Sequence, residues 1–83
     1  QFYILDSLAW VHYRMGNFNL AWDLIREAVR LDSTSDPEIW EHYGDIARGR
    51  GLPDEARSGY RKAIQDGEGR LDIENLRRKL EDL

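Results

Sequence analysis

Apolar residues recur along this chain at spacings of three and four, the period of amphipathic helices, in five successive blocks. Leu5, Leu8, Ala9, His12 and Met15 share one stripe and predict a first helix from about Phe2 to Met15. His12 reads there as a partly buried, hydrogen-bonded packing residue. Gly16 suits the left-handed conformation that ends a helix, and Asn17 suits the turn. A second helix over about Asn19–Leu31 turns Ala21, Leu24, Ile25, Ala28 and Leu31 inward and leaves Trp22 facing outward unless something covers it. Next comes the polar connector Asp32-Ser33-Thr34-Ser35-Asp36. Ser35 followed by Glu38 reads as a capping box, with Pro37 in the tolerant first turn. The third helix runs to about Arg50 and buries Ile39, Trp40, Tyr43, Gly44 and Ala47.

Pro53-Asp54-Glu55 opens a fourth helix, its acids favourable beside the N-terminal dipole. Gly59 lies inside it and costs about 0.8–1 kcal/mol relative to Ala. That cost implies a structural reason, such as the close approach of a neighbouring helix. A last helix over about 72–82 carries Ile73, Leu76, Leu80 and Leu83 on one face.

Sliding the chain over itself by 35 residues aligns its two halves. Leu5 falls on Trp40, Leu8 on Tyr43, Ala9 on Gly44 and Val11 on Ile46. Gly16 falls on Gly51, Ala21 on Ala56, Ile25 on Tyr60 and Ala28 on Ala63. Small residues meet small ones and large apolar residues meet large ones, which marks an internal duplication.

The repeat resembles the tetratricopeptide repeat (TPR), a helix–turn–helix unit of about 34 residues. The second copy carries the resemblance as Trp40-x₂-Tyr43-Gly44-x₂-Ala47, Gly51, Ala56-x₃-Tyr60 and Ala63. The first copy carries it as Leu5-x₂-Leu8-Ala9-x₂-His12, Gly16, Ala21-x₃-Ile25 and Ala28. His12 and Ala47 replace the usual aromatic, Pro53 the aromatic after the turn, and Ser33 and Glu68 the closing proline. The resemblance implies an all-α fold, an alpha-alpha superhelix or TPR-like solenoid. Its repeats would span about 2–35 and 36–68, followed by a C-terminal capping helix. The segments Asp6–Trp10 and Glu41–Ile46 look like the last repeats of bacterial multi-repeat proteins. The N-terminal side shows no matching cap, so further repeats are expected before Gln1.

Length and charge narrow the function classes. The 83 residues suffice for one small domain, and the absence of cysteine removes disulfides, thiolate metal sites and a Cys nucleophile. No apolar run approaches a membrane span, and no basic region followed by an apolar core suggests a signal peptide. A net charge of −4 disfavours nucleic acid, whose phosphates need a basic face. Arg48-Gly49-Arg50-Gly51 superficially matches an RGG element but reads as a helix end. Neither the cytoplasm nor the periplasm is selected.

No enzyme motif is present: there is no phosphate-binding glycine loop, nucleophile elbow or H-E-x-x-H. Glu38, Glu41, His42 and Asp45 share one helix face and have the spacing of a weak divalent-metal site, but a solvated acidic face is the better reading. The expectation is a non-enzyme without cofactor or metal.

The resemblance implies that the first helix of each unit lines a concave groove. Helical spacing assigns Tyr3, Asp6, Trp10, Tyr13 and Arg14 to it from the first unit. The second unit gives Glu38, Glu41, His42, Asp45 and Arg48. Trp10 and Tyr13 lead this set, because aromatics and Arg dominate interface energetics. Packing against a neighbouring unit competes at the same residues. Asp6, Glu41 and Asp45 make the groove too acidic for a chaperone-type carboxylate clamp and favour a peptide with basic and apolar residues. Three readings stay open: a protein-interaction scaffold, a purely structural end to a longer array, and self-association through Phe2, Tyr3 and Ile4.

Overall fold

The computed structural model describes residues 1–69 and 72–83. Their backbone forms five helices in chain order: α1 (Phe2–Arg14), α2 (Phe18–Leu31), α3 (Pro37–Gly49), α4 (Pro53–Gly67) and α5 (Ile73–Glu81). Among the described residues there is no strand, so the fold is all-α, and α1–α2 and α3–α4 make two repeat-like helical hairpins. The second hairpin packs on the first mainly through α3 against α2, and α5 lies on α4.

The two hairpin turns follow the same chemistry. Gly16 and Gly51 have φ of +84° and +83°, the left-handed region open to glycine. Asn17 N–H then donates to the carbonyl of His12 at 2.8 Å, and Leu52 N–H donates to that of Ala47 at 2.9 Å. The connector between hairpins departs from the expected capping box. Asp36, not Ser35, caps α3, its carboxylate accepting from Glu38 N–H at 2.9 Å. Ser35 itself takes a φ of +55°, and Pro37 sits in the first turn. Asp32 stabilises this kinked path by accepting from Thr34 N–H at 2.8 Å, from the Thr34 hydroxyl at 2.6 Å and from Asp36 N–H at 2.7 Å. Partial burial pushes the Asp32 carboxyl pKa up, but these donors outweigh it and hold it below the ordinary carboxylate range.

The core follows the small-on-small pattern. Ala9, Ala21 and Ala28 of the first hairpin and Ala47, Ala56 and Ala63 of the second are fully buried. Gly59 explains its presence by contact: a Cβ there would lie 2.7 Å from Tyr43 Cδ1 and 2.9 Å from the backbone nitrogen of Gly44. On the facing helix, a Cβ at Gly44 would lie 2.5 Å from the Tyr60 ring. Tyr60 is the largest fully buried side chain, so its ring has nowhere to move.

The fold decides one point of burial and corrects another. Trp22 does not face solvent: α3 covers it, with its ring 4.9 Å from that of Tyr43 and the Arg26 guanidinium 5.8 Å above it. Conversely, the stripe assigned to α1 is buried only at Ala9, while Leu8 and Met15 stay exposed, and so does Leu31 of α2. No element of the described fold lies over that side of the first hairpin. In α5, Leu76 is fully buried, and Ile73, Leu80 and Leu83 pack around the same core. Asp72 caps α5, accepting from Asn75 N–H at 3.1 Å.

Two stability outcomes follow. Gly59→Ala gains the helix propensity of alanine, about 1 kcal/mol, but must displace backbone atoms of α3. We expect a net loss of about 1–2 kcal/mol in urea unfolding, whereas Ser58→Ala on the exposed side of the same helix is neutral or slightly stabilising. Leu76→Ala should cost about 2–5 kcal/mol if α5 is part of the cooperative core, and far less if α5 only rests on it.

Candidate functional site

Helices α1 and α3 lie side by side and run the same way, because each opens its hairpin. The face they share brings together most of the residues assigned to a groove. Asp6 Oδ1 and His42 Nδ1 are 2.8 Å apart, a half-buried pair joining the two helices. The His42 ring stacks on Trp10 at 4.4 Å between centroids, and Trp10 stacks on Tyr13 at 5.0 Å. Tyr13 continues to Phe18 at 5.7 Å and closes over Gly49, where a Cβ would lie 3.0 Å from the Tyr13 ring. A ladder of aromatic rings thus runs from the middle of α3 to the end of the first hairpin, with His42, Trp10 and Tyr13 each half-buried.

The acidic half of the expected groove is bound within the fold. Lys79 Nζ of α5 donates to Glu41 Oε2 at 2.8 Å and to the two Asp45 oxygens at 3.0 and 3.1 Å. Asp45 also accepts from the Tyr60 hydroxyl at 2.6 Å. Burial, reinforced by the hydrogen bond to Asp45, pushes the Tyr60 pKa far above that of a free phenol. Burial pulls the Lys79 pKa down, but the hydrogen bonds to Glu41 and Asp45 outweigh it, so the ammonium is held charged more firmly than in water. Lys79 thus offsets one of the two negative charges of Glu41 and Asp45, and Asp6 is engaged by His42. The expectation of a basic peptide counted all three carboxylates as available.

The remaining candidates divide. Arg14 and Arg48 are exposed at the C-terminal ends of α1 and α3, the same end of the shared face. Glu38 is exposed at the other end, in the first turn of α3. Tyr3 joins α1 to the start of α3, its hydroxyl 3.4 Å from the N-cap Asp36, and its ring borders a shallow apolar hollow with Ile4, Ser7, Leu8 and Val11. Tyr3 and Ile4 belong to the end already marked for self-association, but the exposure of Leu8 in that hollow was not anticipated, because the periodicity assigned it to the core. A second unanticipated feature is an open cleft of about 520 Å³ where Trp40 meets Arg57, Arg61 and Lys62 of α4. Among the described residues, no three metal-ligating side chains come together, and His42, Glu41 and Asp45 each have protein partners. No described helix is long and apolar enough to cross a membrane.

The Asp6–His42 pair carries a pH signature. Burial pulls the His42 pKa down, but the hydrogen bond to Asp6, with the charges of Asp6, Asp45 and Glu41, outweighs it and leaves the pKa above the ordinary imidazole value. A raised folded-state pKa stabilises fully below the unfolded value of about 6.5, and that stabilisation is lost as pH rises through the folded value. Urea midpoints should therefore fall as pH climbs from about 6 into the alkaline range, and His42→Gln should flatten that dependence. An unchanged slope in the variant would show that His42 is not charged in the fold.

Comparison of the chain with protein-family models, curated proteins and solved structures gives no match.

Proposed function

We propose that this chain is a non-catalytic interaction scaffold, a TPR-like segment that binds a peptide across the face shared by α1 and α3. The observation that carries the reading is the ring ladder of Tyr13, Trp10 and His42. Its rings are fixed by stacking and by the Asp6 bond, so a ligand meets a preorganised aromatic surface, which lowers the ordering cost of binding. Arg14 and Arg48 lie exposed at one end of the same face, and their guanidinium groups suit bidentate contact with a carboxylate. A short peptide with an aromatic or apolar residue followed by an acidic one fits this chemistry better than a basic peptide. Nothing on the face offers a nucleophile beside a base, so the reading is binding without chemistry.

A second reading draws on the Lys79 contacts: α5 spends the acidic residues of α3 on closing the fold, as expected of an element that only terminates and solubilises an array. The two separate experimentally. Peptides selected from a random library on the 83-residue protein should lose about thirtyfold or more in affinity for Trp10→Ala, the range of an interface tryptophan. Arg14→Ala and Arg48→Ala, both at exposed positions, should weaken acidic peptides with helicity unchanged. If no peptide is selected, or if selected peptides bind all three folded variants as well as the parent, the face is structural.

A further inference from the structure

The two copies of the repeat differ in charge on the outward side of their second helices. In the second hairpin that side borders the open cleft of about 520 Å³, with Trp40 of α3 at its edge and Arg57, Ser58, Arg61, Lys62 and Gln65 of α4 along it. Asp54 stands at its N-terminal end. α4 buries Ala56, Gly59, Tyr60 and Ala63 on its other side, so the cleft residues do not serve the core. Every lining residue belongs to α3 or α4, and the cleft is complete within one hairpin.

On the 35-residue offset the cleft positions of α4 from Arg57 onward correspond to Trp22, Asp23, Arg26, Glu27 and Arg30. In that first copy two acids balance two bases, Glu27 pairs with Arg30, and the Arg26 guanidinium lies over the Trp22 ring. In the second copy Ser58 stands for Asp23 and Lys62 for Glu27, which leaves three cations against the single acid Asp54. This happens in a chain whose net charge is −4. Arg57 and Arg61 are four apart on one helix face, where like charges repel. Asp54 accepts from Arg57 Nη1 at 2.9 Å, but its side chain is 91% exposed, so the pair is weak. Lys62 Nζ is 3.4 Å from Asp66 Oδ2. Arg61 is exposed and forms no ion pair among the described residues. A helix face that repels itself gains from an anion laid across it.

We propose that this cleft binds a phosphorylated segment of a partner protein, with the phosphoryl group on Arg57, Arg61 and Lys62 and a neighbouring apolar side chain on Trp40. A phosphomonoester near neutral pH carries a charge of about −1.5 to −2 and three acceptor oxygens. It therefore engages several donors at once, where a carboxylate is satisfied by one guanidinium. Ser58 and Gln65 add neutral donors beside the cations. The row from Asp54 to Gln65 is about 16 Å long, which about five residues of extended chain would span. An open cleft suits such a segment better than a small molecule, which needs most of its surface enclosed. The acidic remainder of the chain disfavours a nucleic-acid strand. None of Asp6, Trp10, Tyr13 or His42 lines the cleft, so this site stands independently of the peptide reading of the α1–α3 face.

The test uses the 83-residue protein and degenerate peptide libraries with one fixed phosphoserine, serine or glutamate. Peptides selected from the phosphoserine library should bind at least about tenfold more tightly than their serine and glutamate counterparts in fluorescence anisotropy. Arg57→Gln and Arg61→Gln should each weaken them about tenfold. Ser58→Asp, which installs the carboxylate of the first copy at an exposed position, should do the same with circular dichroism unchanged. Trp10→Ala should leave this binding as it is. The proposal is overturned if no phosphoserine peptide is selected, or if the serine or glutamate counterparts bind equally well. It is also overturned if affinity is indifferent to Arg57, Ser58 and Arg61, or if it falls instead with Trp10→Ala, which would place the peptide on the α1–α3 face.

Discussion

The position of Tyr60 constrains more of this fold than any other side chain. Its ring lies flat where Gly44 has no Cβ, which sets the distance between α3 and α4. Its hydroxyl, carried out of the core on the far edge of the ring, ends on Asp45. The same carboxylate holds Lys79, whose ammonium also sits 5.7 Å above the Tyr60 ring. One aromatic side chain therefore ties three helices together, with van der Waals contact on its face and a hydrogen bond at its tip. A buried phenol needs that partner, since an unsatisfied hydroxyl would cost about 1–3 kcal/mol.

This arrangement decides what the face formed by α1 and α3 can offer. Asp45 and Glu41 share the single ammonium of Lys79, and Asp6 is paired with His42, so the face keeps one uncompensated negative charge in its acidic half, while Arg14, Arg48 and Glu38 lie exposed at its ends. The two sides of the first hairpin then differ in kind. One side carries polar pairs and stacked rings and keeps its shape without a ligand. The other is apolar and, among the described residues, nothing lies over it.

Much of the fold was legible in the sequence because it rests on local signals. The glycines at 16 and 51 end helices, and periodicity places all five helices within a residue or two of their observed bounds. Gly59 announces a close contact by its cost inside a helix. What failed were features decided by distant partners. Trp22 read as outward on its own helix, because nothing in α2 says that Tyr43 will cover it. Ser35 matched a capping box, but Asp32 drew the connector into a turn that handed the cap to Asp36. Glu41 and Asp45 looked free because Lys79 lies more than thirty residues away in the chain. Periodicity also marks a stripe as apolar without saying whether anything lies over it, which is why Leu8 and Met15 read as buried.

The claim that Asp45 couples α4 and α5 through α3 is most directly tested by a double-mutant cycle between Tyr60→Phe and Lys79→Met. Each variant removes one donor to the same carboxylate and keeps the bulk of its side chain. If both act through Asp45, their effects on unfolding free energy are non-additive, with a coupling of about 0.5–3 kcal/mol. Additivity within about 0.3–0.5 kcal/mol would mean that the two contacts are independent and that α5 is not held by the Tyr60–Asp45 pair.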